Sequence, residues 1–251
     1  MSALLLSGHQ PVYLPGIILF NKIALSDAFM FVGHVQMSPK SWQQRNRIAL
    51  NGRELMLSVP VGGEFGQAID DAPLIDFTWR RKHLGSIRQA YQKRPFFKTY
   101  FPDLEAIINE PFPTLGRLNR AIILKCCEWL SLSTPICDSR SSASGEDAPL
   151  ISGHKNDMLI EMCRAMGADA YLSNEGSRVY VDEAYMRDQG VEHYWQIFEP
   201  PTYPQGGDAF MPNLSIIDLL FNTGPEAAAI VRSCGRISQD APAAAQEECA
   251  P

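Results

Sequence analysis

Two short apolar runs, separated by about one helix's length of chain, restrict the fold more than any other feature of this sequence. Leu4-Leu5-Leu6 ends at Ser7-Gly8, and Ala28-Phe29-Met30-Phe31-Val32 follows. Runs this short, bounded by polar and small residues, read as buried strands. Between them Ile17, Phe20, Ile23 and Ala24 recur at helical spacing over about Gly16 to Ser26, and Pro15 stands where a first helical turn accepts proline. Strand, helix and strand form a βαβ unit, which sets the strands parallel with a right-handed crossover.

The same alternation continues downstream. Arg47 to Leu50 and Leu55 to Val59 flank Asn51-Gly52, a strong hairpin signal. Three helical segments, near Trp79 to Lys93, Phe97 to Asn109 and Thr114 to Leu130, are punctuated by Pro95, Pro111 and Pro113. A short strand is expected at Thr134 to Cys137, then a Ser/Gly/Asp-rich loop from Asp138 to Pro149. Ser152 to Met166 reads as a helix capped by Gly167, Ala170 to Ser173 as a strand, Asp182 to Gln189 as a helix and Val191 to Phe198 as a strand. Ser215 caps a last helix through Phe221. The pattern predicts an α/β fold: a Rossmann-like three-layer domain with a mostly parallel sheet, a β-hairpin insertion and a helical middle segment. It is expected to occupy residues 1–234 as one domain, with the helical subregion at about 79–130. The Ala/Pro/Gln/Glu-rich residues 235–251 are expected to be a disordered tail.

Composition narrows the function. A formal net charge of −6 argues against a general nucleic-acid binder, although Lys40 to Arg53 is locally basic. Met1 to Ser7 has no positive n-region, and its apolar run is too short for a signal peptide or a membrane span, so a cytoplasmic location is expected. Cys126, Cys127, Cys137, Cys163, Cys234 and Cys249 contain no CxxC pair. That predicts a reduced setting with neither zinc site nor disulfide framework, and no metal ligands are assigned. Cys126, Cys127 and Cys163 read as core residues on helices.

His9 stands at the carboxyl end of the first strand, where open α/β sheets bind ligands. Gln10 and Tyr13 add polar groups to its loop, and Pro11 and Pro15 stiffen it. His34 follows the second strand and is expected on the same rim. Gln36, Lys40, Trp42, Arg45, Asn46 and Arg47 combine cations, hydrogen-bonding groups and one aromatic ring, a set suited to a phosphate and a stacked ring. Ser173 closes another strand, and Tyr203 and Gln205 lie on a proline-stiffened segment that lines a cleft or forms a packed wall.

Several of these pieces together resemble the WbqC-like family. They are His9-Gln10-Pro11-Val12-Tyr13-Leu14-Pro15, Lys22-Ile23 with Asp27, Val35-Gln36, and Ser41-Trp42-Gln43 with Arg45-Asn46-Arg47. Val59-Pro60-Val61, Tyr171-Leu172-Ser173, Pro201-Thr202-Tyr203-Pro204-Gln205 and Leu214-Ser215-Ile216-Ile217-Asp218 extend the resemblance from about Leu4 to Gly224. The sequence departs from the family pattern at Gly16, where an aromatic is usual, and at Gly33-His34, where acidic residues are usual; the second departure implies either a different substrate or His34 in the carboxylate's place. The resemblance implies group transfer in bacterial polysaccharide (O-antigen) or secondary-metabolite synthesis. In this reading an acyl or aminoacyl group, glycyl in its narrowest form, passes from a carrier-protein phosphopantetheine thioester to an amine or a nucleotide-linked amino sugar. His9 is the base, Arg45 and Arg47 hold phosphate, and Gln10, Tyr13 or Asn46 steadies the oxyanion. A looser likeness to nucleotidylyltransferase-type domains gives the alternative of an ATP- and magnesium-dependent amide ligase. A non-catalytic sugar-nucleotide binding module is the third reading.

Overall fold

The computed structural model describes residues 4–64, 66–140, 151–207 and 209–241. The first apolar run becomes β1 (Leu5–His9), the helix α1 (Ile17–Ala24), and the second run β2 (Ala28–Phe31). β1 and β2 pair in parallel, with Leu6 opposite Ala28 and His9 opposite Phe31. Next come the hairpin strands β3 (Arg45–Leu50) and β4 (Arg53–Ser58), then α2 (Thr78–Tyr91), α3 (Phe97–Asn109) and α4 (Leu115–Trp129). The remaining elements are β5 (Ile136–Asp138), α5 (Asn156–Met166), β6 (Ala170–Ser173), α6 (Glu183–Asp188), β7 (Glu192–Phe198), α7 (Ile216–Thr223), α8 (Ala227–Ser233) and β8 (Gly235–Ser238).

Six strands form one sheet in the order β5-β2-β1-β6-β7-β8, parallel throughout except for the antiparallel edge pair β7-β8. In chain order these six strands run 3-2-1-4-5-6, the doubly wound arrangement in which the winding reverses beside the first strand. The fold is thus mixed α/β and Rossmann-like. β2 shows why the sheet is covered on both faces. Its Phe29 and Phe31 enter a large core with α1 to α4, α7 and α8, while Ala28 and Met30 enter a second core with α5 and α6. A strand whose side chains alternate between two apolar cores is apolar at every position, as the sequence run requires.

The hairpin β3-β4 stands apart as a two-stranded sheet. Asn51 (φ 51°) and Gly52 (φ 73°) are both left-handed, as a two-residue turn matched to strand twist demands. One expectation is corrected. Gly235–Ser238 is not tail but the edge strand β8, because the backbone from Trp195 to Phe198 offers it a hydrogen-bonding ladder that its own composition does not announce. Residues 242–251, and with them Cys249, lie outside the described residues, as does most of the loop expected at Asp138 to Pro149. The other five cysteines are unpaired thiols. Burial pushes the Cys126 thiol well up and those of Cys127 and Cys163 up to about 12, as expected of core residues. No helix among the described residues is long and apolar enough to cross a membrane.

Candidate functional site

The winding reverses between β1 and β6, and beyond their carboxyl ends lies a cavity of about 240 Å³. Open α/β sheets place their ligands at this point because the helices that follow the two strands leave in opposite directions and open a crevice. His9 from β1, Asn174 after β6, and Gln196 and Phe198 from β7 form the strand side of the wall. Gly16 to Leu19 and Lys22 from α1 form another side, and Trp42, Asn46 and Arg47 a third. Pro200, Pro201, Tyr203, Phe210, Asn213 and Leu214 close it.

The loop from His9 to Pro15 is fixed from several directions. His9 O accepts from Val32 N (2.9 Å), and Tyr13 N donates to Gln43 O (3.1 Å). Asn119 Nδ2, fully buried on α4, donates to both Pro11 O (3.0 Å) and Gln43 O (2.8 Å). Asn46 Nδ2 holds Leu14 O at 2.8 Å, where Leu14 adopts φ 44°, and Ile216 N holds Pro15 O at 2.8 Å. Gln43 Nε2 also donates to Gln10 Oε1 (2.6 Å). A loop tied this way presents His9 in one orientation.

His9 Nδ1 lies 2.7 Å from Gln10 O, a carbonyl that can only accept. The proton therefore sits on Nδ1, and Nε2 keeps its lone pair. Burial, reinforced by the Lys22 charge, lowers the His9 pKa to about 4, so the ring is neutral near pH 7. Lys22 is only 4% exposed; its Nζ donates to Gly8 O (3.0 Å) and faces the Tyr171 ring. None of the ion pairs found among the described residues involves it. Burial alone lowers its pKa to about 7.

Of the residues singled out in the sequence, His9, Trp42, Asn46, Arg47 and Tyr203 line this cavity. The others do not. Tyr13 is fully buried on the far side of its loop, its hydroxyl 2.9 Å from His83 Nδ1 within a cluster that includes Trp79. Gln10 is spent on Gln43. His34 Nδ1 meets Ser139 Oγ at 2.7 Å in a separate rim cluster, where Arg120 pairs with Asp70 and Asp138 and Arg140 with Asp71. Burial, then Arg140, lowers the His34 pKa. Gln36 and Lys40 are exposed, and neither Arg45 nor Ser173 reaches the cavity; Ser173 Oγ lies against His193 Nε2 (2.8 Å). Gln205 braces a loop by bonding both N and O of Met211 and donating to Asp218 Oδ2 (3.0 Å).

The assigned roles change accordingly. Arg47 is held by Asn213 O and Glu54 and lies over the Trp42 ring, and Asn46 is committed to Leu14 O and Arg47 N. Gln10 and Tyr13 do not line the cavity, and Asn46 has spent one of its two amide N–H groups on Leu14 O; Lys22 lines the cavity and has spent one of its three on Gly8 O. The sequence reading gave Lys22 no role in chemistry. Its signal was present: Lys22 lies in Ile17–Ala24, a segment apolar at six of its eight positions. Asp218 was also passed over. It is 1% exposed, accepts from Tyr203 (2.9 Å) and Gln205, and sets the Tyr203 ring in the wall.

The profile of the WbqC-like protein family matches residues 10–230 of the chain. The chain is also 31% identical over 230 residues to Rv1507c of Mycobacterium tuberculosis strain ATCC 25618 / H37Rv, itself named as uncharacterized, covering 90% of this chain and 96% of that one. The arrangement of strands around the cavity and the near full-length match together lead to one statement of identity: this chain belongs to the WbqC-like protein family.

Proposed function

We propose that this protein is an enzyme that transfers an acyl or aminoacyl group from a thioester to an amine and so forms an amide. The observation that carries this reading is the pairing of His9 and Lys22 on one largely apolar cavity: a neutral imidazole with a free lone pair beside a buried amine with donors to spare. The amine nitrogen attacks the thioester carbonyl carbon, and Lys22 stabilises the oxygen that becomes negative. His9 Nε2 takes the proton from the cationic addition intermediate, whose N–H is far more acidic than that of the free amine, so a base of low pKa suffices. The C–S bond then breaks, and the imidazolium returns that proton to the departing sulfur. One C–N bond replaces one C–S bond, and a thiol leaves.

The acceptor is an amino sugar, nucleotide-linked or free, or a related amine. The donor is a phosphopantetheine thioester, free or on a carrier protein, and the setting is bacterial polysaccharide or secondary-metabolite synthesis. The test combines purified protein with a panel of acyl-pantetheine donors and amino-sugar nucleotides and follows the amide by mass spectrometry. Product is expected, with turnover at least about 100-fold lower in His9→Ala. No product across the panel removes the reading. Pyrophosphate release that requires a free acid and magnesium assigns the protein instead to the ATP-dependent ligases, and nucleotide-sugar binding without turnover makes it a binding module.

A further inference from the structure

The lining of the cavity narrows what it can hold. Ile17, Phe198, Pro201, Phe210 and Leu214 make its walls apolar. Ile18, Trp42 and Phe210, large side chains left 39%, 49% and 38% exposed, contribute to the same lining and form an apolar collar where it opens. Exposed apolar side chains gathered around one opening mark a ligand site. Several polar groups in the wall are already engaged: Asn46 with Leu14 O and Arg47 N, Arg47 with Glu54 and Asn213, and Tyr203 with Asp218, while Gln196 Oε1 is buried with no partner among the described residues. Among the described residues no carboxylate pairs with the Lys22 ammonium, and a buried charge without a countercharge is costly unless a ligand supplies one.

On the transfer reading above, we propose that the acyl group bound in this cavity has an apolar body, aliphatic or aryl, and that Lys22 holds its carboxyl oxygen. That oxygen is a carboxylate in the free acid and an oxyanion during transfer. The cavity of about 240 Å³ has room for an acyl body the size of hexanoate or benzoate. A glycyl group fits worse, because its ammonium lies in the same space as Lys22 and no carboxylate among the described lining residues compensates either charge. A diphosphate also fits worse, because Arg47, the arginine among the described lining residues, is already paired.

Calorimetric titration of the full chain with hexanoate, hexanamide, acetate and inorganic phosphate tests this directly. Hexanoate is expected to bind at least about tenfold more tightly than each of the others, since it alone offers both the anion and the apolar body. In Lys22→Met, which keeps the side chain's bulk, hexanoate and hexanamide are expected to bind alike. In Phe210→Ser, at an exposed position that tolerates change, hexanoate binding weakens while its preference over hexanamide persists. Hexanoyl-pantetheine that competes with hexanoate identifies the carried thioester as the source, and hexanoate binding without such competition identifies the free acid. Hexanamide binding as tightly as hexanoate to the wild type, or a preference for hexanoate that survives in Lys22→Met, overturns the proposal. Hexanoate binding without amide formation under any donor removes the transfer reading alone, and amide formation from glycyl but not from apolar donors removes this inference alone.

Discussion

Lys22 shows what a single buried amine does to the whole chain's response to pH. Its pKa falls to about 7 in the fold, whereas the unfolded chain keeps the ordinary lysine value near 10.4. Between those two values the unfolded state binds more protons than the folded one, so this residue makes stability rise with pH, and its penalty is complete below pH 7. The size of the depression corresponds to a few kcal/mol, on the order of 4. Lys22→Met is therefore expected to be more stable than the wild type at pH 6, with the gap closing toward pH 10; urea melts at the two pH values measure it. His9, His193 and Tyr171 face Lys22, and the two histidines are held neutral near pH 7, mainly by burial. Hexanoate affinity should accordingly be flat between about pH 5 and 7, fall above that as Lys22 loses its proton, and fall below it as the ligand's own carboxylate is protonated. Tyr13 is the contrasting residue. Tyr13→Phe removes its bond to His83, so thermal melting should show a loss of about 1–2 kcal/mol while hexanoate affinity stays unchanged.

At the scale of elements, the site depends on pieces that never touch a ligand. α4 contributes Asn119, whose side chain ties two loops together at Pro11 and Gln43. Asn119→Ala takes the donor from Pro11 O and leaves Gln43 O with only Tyr13 N, and a drop in stability of about 1–2 kcal/mol together with weaker hexanoate binding is expected by melting and titration. β8 contributes a place with no side chain. A Cβ on Gly235 lands 2.2 Å from Asn21 Oδ1 and 3.0 Å from Ile197 O. Asn21 Oδ1 in turn receives Gln196 Nε2 (2.7 Å) from the cavity wall. Gly235→Ala should lower both the melting temperature and hexanoate affinity. Period-2 and period-3.6 patterning showed most elements because each buries a face that the sequence must keep apolar. β8 escaped because it pairs by its backbone at a sheet edge, and only the exposed Ile237 marks it as apolar. α8 escaped because Ala227 to Ala229 carry little apolar surface to set a period.

Across the whole molecule, the βαβ opening pointed to the strand ends beside β1, and the six-strand order opens a cavity there. His9 was legible because a strand end is legible. Trp42, Asn46, Arg47 and Tyr203 were legible as polar or aromatic residues on loops and strand starts. His34 was misplaced because a shared sheet edge does not mean a shared cavity: it lies with β5 and Ser139, on the other side of β2 from β1. Tyr13 and Gln205 were misassigned because a sequence shows which groups are polar but not which are already bonded. Lys22 stayed hidden for the opposite reason, since its value to a ligand lies in the carboxylate it lacks.

The His9 to Pro15 loop is tied to Gln43, Asn46, Asn119 and Ile216, partners that span most of the folded chain. The bond from Ile216 N to Pro15 O exists only once α7 has been made and docked, so a chain lacking α7 lacks that tie. The site is therefore among the last parts of the molecule to be completed, and it opens only when the rest does. In native-state hydrogen exchange, the amides of Tyr13 and Ile216 are expected to exchange at the rate of global unfolding rather than by local opening, although both belong to a loop or its anchor.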